Sequence, residues 1–108
     1  MSEIIAKLET VIRERRSADP ASSYVAALLA KGPKKIAQKL GEEATETVIA
    51  ALTEDAAALT GEAADLIFHL LIMLDQRGLR FADILTELER RDGLSGIDEK
   101  KSRGKPAG

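Results

Sequence analysis

Two acidic patterns in this chain have the residue types and spacing to do chemistry. Lys39-Leu40-Gly41-Glu42-Glu43-Ala44-Thr45-Glu46 contains a Glu-Glu-x-x-Glu, and Glu62-Ala63-Ala64-Asp65 a Glu-x-x-Asp. Helical residues advance by about 100° each, so carboxylates three apart share one face. Like charges so placed repel by about 0.2–0.5 kcal/mol per pair on an exposed helix, and more where water is partly excluded. A cation therefore belongs among them. Antiparallel neighbours presenting Glu43 and Glu46 from one side and Glu62 and Asp65 from the other would converge their carboxylates, the way bundles build carboxylate metal sites. All-oxygen ligation suits a hard ion. With substrate phosphates completing an octahedron, that ion is Mg²⁺, with Mn²⁺ the common substitute and zinc disfavoured.

Each piece also has a plainer reading. A Glu-Glu-x-x-Glu alone is an ordinary solvated helix face, and Glu62 with Asp65 alone is an acidic pair near a helix N-terminus. Their shared spacing, and the placement of Asp65 at the head of an otherwise apolar helix, favour the metal site. His69, at i+7 from Glu62, completes the one polar stripe on that helix and reads as a hydrogen-bonded core histidine supporting the ligands. Lys39 lies one turn before Glu42 and Glu43, as an intrahelical ion pair or a phosphate contact. Lys34 and Lys35 stand in the first turn of the same helix, where a cation is unfavourable without an anion nearby; they read equally as surface lysines or phosphate ligands. The run Glu99, Lys100, Lys101 and Arg103 is a solvated charge run or a basic tail that closes over phosphate.

The elements that must position these groups are helices. The chain has 108 residues, enough for one domain with a modest core. Hydrophobic residues make up 44% and aromatics only 3%, which excludes an aromatic platform for stacking bases and an aromatic-rich sheet. A net charge of -2 leaves no electrostatic footprint for nucleic acid or an anionic membrane. The absence of cysteine removes disulfides, thiolate metal sites and a cysteine nucleophile. The N-terminus is charged and amphipathic rather than signal-like, so a cytoplasmic protein without nucleic-acid or membrane partners is expected.

Apolar spacing predicts a first helix to about Arg16, capped by Ser2, then a break over Ser17–Pro20 and a short helix from Tyr24 to Lys31. Gly32-Pro33 ends that helix, and Pro33 opens a long one to about Thr53. A connection over residues 53–60 precedes a helix from about Gly61 to Arg77, whose start shifts earlier if the alanine-rich AALT joins it. Phe81, Ile84, Leu85 and Leu88 mark a last helix to about Arg91. The expected architecture is an all-α bundle of four to five helices over residues 1–91, with 92–108 as a flexible charged tail. The helix around AADLIFHLLIML is apolar nearly all round, more than a small bundle can enclose, so a second copy in a two-fold homodimer is expected to cover it.

The paired motifs resemble those of the all-α nucleotide pyrophosphohydrolase superfamily that includes MazG and the dimeric dUTPases: Glu42-Glu43-x-x-Glu46 followed by Glu62-x-x-Asp65. Within it the chain is most similar to the phosphoribosyl-ATP pyrophosphohydrolase family, through KGPKKIAQKLGEEATE, EAADLIFHLLIML and ELERRDGLSGIDEKKSR. The resemblance implies a MazG-like fold and Mg²⁺-dependent hydrolysis of phosphoribosyl-ATP to phosphoribosyl-AMP and pyrophosphate, the second step of histidine biosynthesis, by water attack at the α–β linkage. It carries Glu43, Glu46, Glu62 and Asp65 over as metal ligands. Glu42 becomes the candidate general base or ligand of a second metal, and Lys39 the group that stabilises phosphate charge, joined at the phosphates by Lys35, Lys101 and Arg103. Phe68 departs from the tyrosine that relatives often carry, a matter of packing. Two alternatives remain: a house-cleaning nucleoside triphosphate pyrophosphohydrolase with the same metal site, and a non-catalytic helical dimerisation module whose acidic stripe is only solvated.

Overall fold

The computed structural model describes residues 3–93. Among them are five helices and no strand: α1 (Glu3–Arg15), α2 (Tyr24–Lys31), α3 (Pro33–Thr53), α4 (Ala56–Gln76) and α5 (Phe81–Arg91). The all-α expectation is met, and most boundaries fall where glycine, proline and capping residues put them. Ser2, the expected first cap, and the tail from residue 94 onward lie outside the described residues.

Ser23 caps α2 through its hydroxyl, which accepts from the Ala26 N–H at 3.2 Å. Gly32 closes α2 at φ 93°, its N–H donating to the Leu29 carbonyl at 3.2 Å, and Pro33 starts α3 at once. The long connection expected before Gly61 is instead the two residues Glu54 and Asp55. The Asp55 carboxylate accepts from the Ala58 N–H at 2.9 Å, and the alanines behind it carry the helix straight through Gly61. Gly78 ends α4 in a Schellman arrangement, with Leu79 N–H on the Leu74 carbonyl at 2.8 Å and Gly78 N–H on that of Asp75 at 3.0 Å.

So short a link makes α3 and α4 an antiparallel hairpin, and this pair forms the largest packing interface in the fold. Ile12, Val25, Leu28, Ile36, Leu71 and Ile72 make the core where α1, α2, α3 and α4 meet. Ile36 and Ile72 are fully buried, so truncating either to alanine removes about 2–5 kcal/mol. Two polar ties fasten the far end of α4 and the start of α5. Arg16 grips Asp75 through two bonds of 3.1 and 2.6 Å, and the Glu9 carboxylate accepts from the Phe81 N–H at 2.8 Å.

By length and composition α4 is apolar enough to cross a membrane, with mean hydropathy 1.6. It is also the helix on which α1 and α3 pack, burying His69, Leu71, Ile72 and Leu74. The single chain does not enclose it all round: Ile67 is 40% exposed, and on α3 Val48, Ile49 and Leu52 are 59%, 48% and 80% exposed.

Candidate metal centre and phosphate cleft

The α3–α4 hairpin brings three of the sequence-derived ligands together. Glu43 faces the helix pair and is only 7% exposed, Glu46 follows one turn later at the surface, and Glu62 reaches across half-buried from α4. One carboxylate oxygen from each lies within 4.8 Å of the others. Asp65 is exposed and stands outside this trio, though its charge is felt within it.

The electrostatics are those of acids crowded against one another. Burial pushes the Glu43 carboxyl above its ordinary value, and its hydrogen bond to Glu46 and the Glu46 charge push it further. Glu62 is raised in the same way, by burial first, then by its hydrogen bond to Glu46 and the charges of Glu46, Glu43 and Asp65. Two carboxylates can hydrogen-bond only with a proton between them, and a divalent cation does the same work while cancelling more charge. The donor set therefore fits a hard, oxygen-liganded ion.

Glu42 and Lys39 sit beside this trio. The Lys39 ammonium lies 3.4 Å from Glu42 and 3.8 Å from Glu43. Gln38 also donates to Glu42 at 3.1 Å, and this bond, followed by that of Lys39, holds the Glu42 carboxyl below its ordinary value. The bond to Glu42 in turn raises Lys39. Next to them opens a cleft of about 260 Å³ between α2 and α3, lined by Tyr24, Lys31, Lys35, Lys39 and Glu42. Lys35 is thus on the cleft as expected, whereas Lys34 is exposed and absent from its lining. Lys101 and Arg103 lie outside the described residues.

Sequence reasoning missed Lys31 and Tyr24, taking them only as the ends of a short helix. The four-residue spacing of Lys31, Lys35 and Lys39 was the available signal, hidden by the Gly32-Pro33 break. His69 is buried as expected, its Nδ1 2.7 Å from the Asp65 carbonyl and its Nε2 2.7 Å from the Tyr24 hydroxyl. Another hollow, about 170 Å³ between α1 and the end of α4, is far less suited to chemistry, because Arg16 and Asp75 pair there and Glu9 caps α5.

The described residues are all helical, and their central hairpin gathers acids beside a lysine-lined cleft, an arrangement that suits an all-α hydrolase acting on phosphoanhydrides, the class the comparisons indicate. Comparison with known proteins is more specific. Residues 5–92 match the family model described as Phosphoribosyl-ATP pyrophosphohydrolase, and the chain belongs to that family. It is similar to proteins named Phosphoribosyl-ATP pyrophosphatase from Rhizorhabdus wittichii, at 59% identity over 97% of this chain and 99% of the relative, and from Novosphingobium aromaticivorans, at 62% over 94% of each. One from Erythrobacter litoralis is 61% identical over 93% of this chain and 96% of its own length.

Proposed function

We propose that this chain hydrolyses phosphoribosyl-ATP to phosphoribosyl-AMP and pyrophosphate, the second step of histidine biosynthesis, using Mg²⁺ held by Glu43, Glu46, Glu62 and Asp65. The observation that carries this reading is the convergence of the glutamate trio beside a cationic cleft, in a chain of this family. Bound Mg²⁺ would neutralise the phosphate oxygens and lower the pKa of the attacking water.

The chain's own residues supply the rest. Lys31, Lys35 and Lys39 line the cleft and meet the polyphosphate charge, with Lys101 and Arg103 of the tail added on this reading. Glu42 accepts the water's proton. The bonds from Gln38 and then Lys39 make it a weak base at rest, and an arriving phosphate that draws Lys39 away raises its basicity part of the way. The burial of Glu43 strengthens the charge interactions that this carboxylate makes.

On the same reading residues 1–91 are one catalytic domain with 92–108 as its tail, the protein works in the cytoplasm without nucleic-acid or membrane partners, and a second copy covers Val48, Ile49, Leu52 and Ile67. The exposure of those four apolar side chains on the central hairpin supports the homodimer.

The deciding experiment offers purified protein phosphoribosyl-ATP, ATP and dUTP in parallel, with Mg²⁺, with Mn²⁺ and with chelator, and measures pyrophosphate. Release from phosphoribosyl-ATP that needs the metal, with the other nucleotides turned over far more slowly, is expected. Preference for ATP or dUTP would replace the reading with a house-cleaning enzyme, and no release from any of them would leave a non-catalytic helical module.

A further inference from the structure

Tyr24 is half exposed at the first turn of α2, yet its hydroxyl oxygen lies 2.7 Å from Nε2 of His69, a residue of α4 that is only 6% exposed. The other ring nitrogen, Nδ1, lies 2.7 Å from the Asp65 carbonyl. A carbonyl can only accept, so Nδ1 carries a hydrogen; in the neutral ring Nε2 is then an acceptor and the phenol must donate. Burial holds the Tyr24 hydroxyl above its ordinary value, so the proton it needs for this bond is retained. The rings of Tyr24 and Phe68 both meet the imidazole edge-on, at centroid distances of 5.7 and 5.6 Å, and leave it little freedom to turn.

The result is a two-bond strut from α2 to the turn of α4 that carries Asp65 and follows Glu62. Without the phenol hydroxyl, a buried ring nitrogen would lose its partner and the imidazole would be free to take the other tautomer, giving up its own bond to the Asp65 carbonyl and leaving that carbonyl to its helical bond alone. We propose that Tyr24 is a positioning residue for the carboxylate site: through His69 it fixes the α4 turn that presents Asp65 and Glu62 to the metal. Neither the spacing of the acidic motifs nor the lining of the cleft assigns it that role. The proposal rests on the metal-site reading above.

The test uses the full chain and three variants: Tyr24→Phe, which keeps the ring, His69→Gln, and the two combined. Mn²⁺ affinity is read by electron paramagnetic resonance without substrate, and the His69 tautomer by imidazole ¹⁵N shifts. Tyr24→Phe should weaken Mn²⁺ binding about five- to tenfold and mix the His69 tautomers, with the melting temperature lower by several degrees and the fold retained. In turnover it should lower kcat about tenfold with KM within about twofold, a loss of about 1.4 kcal/mol and within the range for one hydrogen bond. The double variant should bind Mn²⁺ no more weakly than the weaker single one, because both changes break the same strut.

Wild-type Mn²⁺ affinity in Tyr24→Phe would overturn the proposal, whatever turnover does, and so would strictly additive losses in the double variant. A rise in KM with unchanged kcat would make Tyr24 a wall of the cleft instead. Wild-type protein that binds Mn²⁺ but releases no pyrophosphate overturns the functional reading alone, and the affinities still decide this one. Wild-type protein that binds no Mn²⁺ overturns both.

Discussion

The carboxylates between α3 and α4 and the charge cluster on α5 are made from similar residues and behave in opposite ways. On α5, Glu87 is held by Arg90 at 2.8 and 3.1 Å and by Arg91 at 3.0 Å. These bonds, those of Arg90 first, pull its carboxyl down to about 2. In the hairpin, Glu43 and Glu62 meet other acids, and their carboxyls are raised. The α5 cluster has supplied its own counter-charge. The hairpin cluster has Lys39, 3.8 Å from Glu43 and 3.4 Å from Glu42, and leaves the rest of its charge to a ligand. Charge density alone does not separate a site from a surface; whether opposite charge is already built in does.

Substitution gives the sharpest contrast. Glu43→Gln is expected to slow pyrophosphate release by about a hundred- to a thousandfold, a loss of about 3–4 kcal/mol of transition-state stabilisation, while the melting temperature holds or rises. Asp65→Asn should lose activity to a similar order, and normal turnover by that variant would remove Asp65 from the ligand set and leave the trio. Next comes the pH dependence of the metal-free protein, followed by thermal melting in chelator. Glu43 and Glu62 hold protons more tightly folded than unfolded, so the stability they contribute is complete below the ordinary carboxyl value of 4.5 and is lost as pH rises through their folded values. Glu87 has the reverse sign: its contribution is complete above 4.5 and disappears as pH falls toward about 2. Glu43→Gln should flatten the first limb and leave the second, and saturating Mg²⁺ should do the same; an unaltered first limb in both would break the comparison. The smallest effect is expected from Glu87→Gln, which should leave turnover within about twofold and shift the melting temperature only slightly, as exposed ion pairs do.

Most helices were legible because their stops are chemical: Gly32-Pro33 and Gly78 permit few alternatives. The start of α4 was harder. Gly61 looked like a boundary, whereas the Asp55 cap and the alanines after it outweigh one glycine inside a helix that packs along α3. Glu43, Glu46 and Glu62 could be read as a site because helical spacing fixes which residues share a face. Spacing alone did not foresee that Asp65 stands aside: it is three residues from Glu62, as Glu46 is from Glu43, yet it is exposed and outside the trio. Tyr24 and Lys31 could not be found that way. They come from another helix, and their meeting with His69 and Lys39 depends on how the Gly32 turn aims α2.

The two-residue link between α3 and α4 has a further effect, on kinetics. Glu46 and Glu62 lie at nearly equal chain distances on either side of Glu54-Asp55, as do Glu43 and Asp65. The acids therefore meet through one of the most local tertiary contacts the chain makes, of the kind whose closure entropy is small and which forms early in folding. Their mutual repulsion is then present at the folding barrier as well as in the native state. Mg²⁺ should accordingly raise the refolding rate and not merely slow unfolding, which stopped-flow refolding with and without the ion will show; an effect confined to the unfolding limb would mean that the hairpin closes late.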